Sequence, residues 1–140
     1  MELSDAAFSY LEKNIARYPQ YAVRAVKADV WRDAASFTEE YTAILSNPPY
    51  IPTADLPQLM REVQHEPTMA LDGDTDGLRF YRVIANEWVP RLRAGGVCAV
   101  EWSENVADAL EDPIAVTIEK LGEDSRKITV TGGKTDDFSL

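Results

Sequence analysis

Apolar positions along the chain follow two periods. Phe8, Leu11 and Ile15 recur at helical spacing behind Ser4, which can cap, and Asp5, which favours the N-terminal dipole. This predicts a helix that ends near Tyr18 and Pro19. Residues 22–28 carry alternating valines and read as a strand closing on Asp29. Residues 31–41 are polar with scattered aromatics, a loop with a short helix. The run 43–45 is too short for a helix and has no polar face, so it reads as a buried parallel strand. It stops at Asn47, because Pro48 and Pro49 have no N–H to give to a ladder.

Leu56, Leu59, Met60 and Val63 have helical spacing, but Pro57 and Pro67 allow a short helix at best. Residues 67–77 read as loop, with turns at Asp72, Gly73 and Asp74 and again at Asp76 and Gly77. Leu78, Tyr81, Ile84, Ala85, Trp88 and Leu92 mark one face of a longer helix, with Gly95 and Gly96 as its stop. Residues 97–102 form a second buried strand. Residues 103–110 look helical. Another helical piece begins with Asp112 as cap and Pro113 at its first position. Its apolar face is Ile114, Ile118 and Leu121, and Gly122 ends it. A late strand at 128–131, a turn at Gly132 and Gly133 and a stub at 138–140 complete the chain. Alternating strands and helices predict an α/β fold with a parallel sheet.

The 140 residues suffice for one domain with a core, and 45% of them are hydrophobic. No apolar run approaches membrane-spanning length, and no signal peptide is visible. A formal charge of −10 without a basic cluster disfavours contact with nucleic-acid phosphates. The single cysteine, Cys98, lies in an apolar run and reads as a small buried hydrophobe in a reducing compartment. These features predict a cytoplasmic protein without a membrane segment. His65, the one histidine, has no nearby metal partner and reads as a surface residue.

Ligands bind at the carboxyl ends of strands in open α/β sheets, which singles out the turn of Asn47, Pro48, Pro49 and Tyr50. Glu2 and Asp29 also follow apolar or alternating runs. In adjacent parallel strands all three polar residues would project from one edge. Asn47 offers a neutral carbonyl acceptor, the Pro48 carbonyl offers a second, and Tyr50 supplies a flat face. Two acceptors side by side suit a planar NH2 group. Amide nitrogens are poor nucleophiles, and holding both hydrogens returns electron density to nitrogen and aims it at an electrophile such as a methyl sulfonium. The plain alternative is a proline-rich turn in which Asn47 is only a cap.

The sequence resembles the class I S-adenosylmethionine-dependent methyltransferases, and among them the release-factor glutamine N5-methyltransferases. Asn47, Pro48, Pro49 and Tyr50 match the amino-methyltransferase motif, extended by Ile51 and Pro52. Glu62, Val63, Glu66, Pro67, Ala70, Leu71, Asp72, Gly73, Asp76, Gly77, Leu78, Phe80, Tyr81 and Arg82 are similar to that subfamily's later signature, and Gly95, Gly96, Val100 and Glu101 to its following strand. The resemblance runs from Glu2 to about Glu101. It implies a Rossmann-like class I methyltransferase sheet with helices on both faces, incomplete because its first strand is missing. It also implies S-adenosylmethionine as cofactor, with Glu2 at the ribose hydroxyls, Asp29 by the adenine and Asn47 also among the cofactor-binding residues. Asn47, Pro48 and Tyr50 would be the catalytic residues, and with Pro49 would line the pocket for the substrate amide. The implied substrate is the glutamine of the Gly-Gly-Gln loop of a class I peptide chain release factor.

Departures from the family pattern also shape this reading. The family's glycine-rich cofactor loop and N-terminal helical domain are not among the 140 residues, and Gly95 and Gly96 precede a strand instead of opening a helix. Asp74 stands where the family tends to have glycine. Ser103 and Val106 stand where it tends to have Gly and Gln. The expectation is a partial methyltransferase catalytic domain over residues 1–140, truncated or fragmentary, that binds S-adenosylmethionine weakly or not at all. The alternatives are an amino-methyltransferase for adenine or guanine, a ribosomal-protein glutamine methyltransferase, and a non-catalytic methyltransferase remnant.

Overall fold

A computed structural model describes residues 1–102, 115–120 and 126–131, in two compact units, Met1–Glu101 and Trp102–Leu140. The first opens with helix α1 (Asp5–Ala16). Ser4 Oγ accepts from the Ala7 N–H at 3.4 Å, and the Arg17 N–H closes onto Asn14 and Ile15. Phe8, Leu11 and Ile15 are its half-buried positions. The segments flanking α1 meet side by side. The Glu2 N–H donates to the Val26 carbonyl at 3.0 Å, and the Ala28 N–H donates to that of Glu2 at 3.2 Å. This leaves a single parallel bridge, Glu2 to Lys27, in place of the strand predicted over 22–28. A ladder needs a partner strand alongside, and among the described residues only the short segment around Glu2 pairs with it.

Strands β1 (Tyr41–Ser46) and β2 (Leu92–Val100) pair in parallel. The sheet among the described residues of this unit is therefore two-stranded. The buried reading of both strands is corrected. Ala43 and Leu45 on β1, and their register partners Val97 and Ala99 on β2, are all exposed. Leu45 reaches 80% exposure. Apolarity alone predicted burial, but burial requires a covering layer on each face, and this face lacks one among the described residues. Ile44, Ser46, Cys98 and Val100 alternate with them and are half-buried.

The predicted long helix is also corrected. Helix α2 (Arg79–Val83) widens to a π-turn at Ile84–Trp88, tightens to a 3-10 turn at Val89–Arg91, and hands over directly to β2. Pro90 explains the break, since it has no N–H and its ring displaces the carbonyl four residues earlier. Gly95 and Gly96 lie within β2 instead of stopping a helix. Tyr41 pairs with Leu92 but Ala43 pairs with Val97, so the extra residues of β2 bulge out there. Gly95 takes φ +77, and a Cβ on Gly96 would stand 2.9 Å from the Arg93 carbonyl oxygen.

Ala34, Val83 and Trp88 form the buried core, packed against Val30, Phe37, Tyr41 and Ile44. The Trp88 indole N–H donates to the Val30 carbonyl at 2.8 Å, and its ring lies 5.2 Å from Phe37. The Arg91 guanidinium lies 5.6 Å over the indole and donates to the carbonyls of Ala34 and Phe37. One tryptophan thus ties the 3-10 turn at Ala34–Ser36, β1 and the π-turn together.

In the second unit, β3 (Ala115–Lys120) pairs antiparallel with β4 (Arg126–Thr131). The predicted strand at 128–131 falls within β4, whereas the helical piece starting at Asp112 is replaced by β3. Apolar Val116 and Ile118 alternate with polar Thr117 and Glu119, and Val116, Thr117 and Ile118 are all β-branched, which favours a strand over the helical spacing of Ile114, Ile118 and Leu121. The helix predicted at 103–110, the turn at Gly132 and Gly133 and the stub at 138–140 lie outside the described residues. Among the described residues no helix is long and apolar enough to cross a membrane.

Trp88→Ala should lower unfolding free energy by about 3–5 kcal/mol in urea denaturation, and Trp88→Phe, which removes the bond to Val30, by about 1 kcal/mol. Equal small losses would mean that the core is held elsewhere.

Candidate functional site

The two halves of the first unit border an open cleft of about 840 Å³. Glu2, Ala28 and Asp29 are among its lining residues, together with Ala43, Leu45, Ser46, Asn47, Pro48 and Pro49. The cleft thus brings together Glu2, Asp29, Asn47, Pro48 and Pro49. Tyr50 is half-buried just beyond its lining. Asn47 is exposed, Pro48 buried and Pro49 half-buried. The turn leaves the sheet where the Glu101 N–H donates to the Ser46 carbonyl at 2.9 Å, the last bond of the β1–β2 ladder.

The two carboxylates are held differently. Glu2 Oε1 accepts from the Ser4 N–H at 2.7 Å, which leaves its second oxygen available. Asp29 Oδ1 accepts from the backbone N–H groups of Trp31 at 2.8 Å and Arg32 at 3.2 Å, while Oδ2 faces the Arg32 guanidinium at 3.8 Å. Asp29 is therefore largely committed to its own turn, an Asx arrangement that fixes the loop.

Behind the turn lies a second loop, 71–77. The Ile51 N–H donates to the Leu71 carbonyl at 3.0 Å, and the Gly73 N–H donates to the Ile51 carbonyl at 2.8 Å. Thr53 donates through Oγ1 to Asp72 Oδ1 at 2.7 Å and through its N–H to the Asp74 carbonyl at 3.1 Å. Bare glycine backbone packs on Tyr50: a Cβ on Gly73 would stand 2.8 Å from Tyr50 Cα, and one on Gly77 2.5 Å from the Tyr50 carbonyl oxygen. Gly77 also takes φ +74, so any L side chain there is strained as well as crowded. Asp74 adopts φ 75 without being glycine, at a cost of about 1 kcal/mol. Its carboxylate pairs with Arg79, whose guanidinium lies 5.2 Å over the Trp31 ring across the cleft. Asp74 is held below the usual carboxylate range, first by the Thr75 N–H and hydroxyl, then by Arg79. Asp76 is lowered to about 2, first by its hydrogen bond from Arg82 and then by the Leu78 N–H.

Tyr81 is a residue that the sequence did not single out for the site. Its hydroxyl donates to the Glu101 carbonyl at 2.9 Å, so α2 is fastened to the end of β2 beside the turn. Burial pushes its hydroxyl up to about 12, with smaller contributions from Tyr50 and Glu101. Its place in an apolar helical stripe disguised it as core. The Thr53–Asp72 bond joins residues 19 apart, and no local pattern signals it. His65 is exposed, and no group of three metal-ligating side chains gathers among the described residues.

Comparison with known proteins gives a consistent set of relatives. The chain is 51% identical over 65 residues to the release factor glutamine methyltransferase of Gloeobacter violaceus, an alignment covering 46% of this chain and 23% of that protein. It is 35% identical over 112 residues to the protein of that name from Caulobacter vibrioides, covering 79% of this chain and 38% of the relative. With that of Geobacter sulfurreducens it shares 52% over 64 residues, covering 45% and 22%. The alignments thus span between 22% and 38% of the length of the curated relatives. No protein-family model and no solved structure matches.

Because the folded Tyr81 is raised from 10.0 to about 12, its contribution to stability is complete below pH 10 and is lost as pH rises toward 12. Absorbance titration of phenolate formation should show a late step near pH 12 that Tyr81→Phe removes. A titration in which all tyrosines ionise together near 10 would contradict the packing of Tyr81 against Glu101.

Proposed function

The chain belongs to the release factor glutamine methyltransferase family, and from that premise we propose that its 47–50 turn holds a glutamine side-chain amide for methylation. The observation that carries this reading is the turn's position: Asn47 and Pro48 lie at the carboxyl end of β1, on a cleft shared with Glu2 and Asp29. The proposed substrate is the glutamine of the Gly-Gly-Gln loop of a class I peptide chain release factor. A cytoplasmic location goes with that substrate, and the proposed fold is part of a Rossmann-like class I methyltransferase sheet.

The proposed methyl donor is S-adenosylmethionine, which when bound supplies a methyl group on a positively charged sulfur. The residues present fit it in part. Glu2 has one carboxylate oxygen without a partner among the described residues, to meet a diol, whereas Asp29 Oδ1 accepts two bonds from its own turn and Oδ2 faces Arg32. Asn47 and the Pro48 carbonyl accept the two hydrogens of the substrate amide, which orients its nitrogen and raises electron density on it. Tyr50 bounds the amide plane. The nitrogen gains the methyl group and gives up one proton to water. A nucleic-acid amine as substrate is disfavoured by the charge of −10.

Two outcomes are expected. Calorimetric titration of this chain with S-adenosylmethionine should show binding weaker than micromolar, since one of its two carboxylates is already engaged, and micromolar affinity would contradict this. In methylation of a release factor with labelled donor, Asn47→Ala should remove at least about 100-fold of the rate while changing donor affinity less than about twofold. Loss of both together would overturn the role assigned to Asn47.

A further inference from the structure

We propose that the 71–77 loop is the template that sets the 47–50 turn, with Asp72, Thr53 and Gly77 as positioning residues for the amide site. This rests on the reading of that turn as the amide-binding element.

The need for a template follows from the prolines. Pro48 and Pro49 have no N–H, and among the described residues no backbone bond closes the turn within 47–50. On the β1 side the last ladder bond is at Ser46. On the other side the first fixed residue is Ile51, which exchanges two backbone bonds with the loop, at 3.0 Å to Leu71 and 2.8 Å from Gly73. Asp72 Oδ1 then accepts twice, from Thr53 Oγ1 at 2.7 Å and from the Asp74 N–H at 2.9 Å. A single carboxylate oxygen therefore joins the segment that leaves the turn to the loop behind it.

Between these anchors the loop touches Tyr50 at a range that only glycine allows. At Gly77 even a methyl group would have to displace the Tyr50 carbonyl. The loop itself is held from the far side by the Asp74–Arg79 and Asp76–Arg82 pairs, which root it in α2. Through the Tyr81 hydroxyl, α2 is tied to Glu101 at the end of β2. The turn is thus clamped between its own strand and a loop referenced to the neighbouring strand. Such a frame fixes where two carbonyl acceptors stand without touching the substrate.

The test is NMR on the isotope-labelled chain, comparing Asp72→Ala, Thr53→Val and Thr53→Ser with the parent. Asp72→Ala and Thr53→Val should shift the Asn47 side-chain amide and Tyr50 ring signals. They should also speed exchange of the Ile51 N–H by about tenfold, while Ile44 and Cys98 in the β1–β2 ladder keep their exchange rates. Thr53→Ser should restore the parent spectrum, because it keeps the hydroxyl. Unchanged Asn47 and Tyr50 signals would overturn the proposal, as would loosening spread equally through β1 and β2, the mark of a merely structural role. Addition of a Gly-Gly-Gln peptide to the parent separates the two levels. Absence of any shift at Asn47 and Tyr50 would sink the amide-binding reading, while the dependence of the turn on Asp72 would be read from the variants alone.

Discussion

Two consecutive prolines impose the constraint from which the geometry of this site follows. Pro48 and Pro49 end the β1–β2 ladder because neither can donate to it. Among the described residues the turn also has no backbone bond of its own. Its position must then be set by what comes before, the parallel pairing that ends at Ser46, and by what comes after, the bonds of Ile51 and Thr53 to the 71–77 loop. The rigid rings narrow the conformations left to fix, so a few hydrogen bonds at each end suffice.

The core serves this arrangement indirectly. Trp88 gathers the 3-10 turn at Ala34–Ser36, β1 and the π-turn at Ile84–Trp88, which fixes the start of β1 and the helical path leading to β2. Tyr81, one turn before the π-turn, carries that order to the carboxyl end of the sheet through Glu101. The turn at Asn47 and the packing at Trp88 are thus linked through two tyrosines and a loop. The Glu2 and Asp29 side is more lightly built, with one bridge between Glu2 and Lys27 and the Arg79–Trp31 contact reaching across the cleft.

Much of the candidate site was legible because it is local in the chain. The strand end at Asn47, the capped helix after Ser4 and the turns at Asp72 and Asp76 each rest on a few neighbouring residues. What the sequence concealed is long-range. Leu45 and Val97 looked buried because they are apolar, but no periodicity tells whether a sheet face has a cover. The alternating valines at 22–28 looked like a strand, yet strand formation depends on a partner elsewhere. Val116 and Ile118 fit both a helix and a strand, and pairing with β4 decided between them. Asp74 was noticed as a departure from glycine. Only the structure supplies its physical content, a left-handed backbone and an ion pair to Arg79.

The proposed role of the 47–50 turn is to receive a planar side-chain amide. Intermolecular nuclear Overhauser effects between a Gly-Gly-Gln peptide and the chain test it most directly. The account predicts contacts from the glutamine side-chain NH2 protons to the Tyr50 ring and to the Asn47 side chain. Contacts confined to α1, with none to Asn47 or Tyr50, would contradict it.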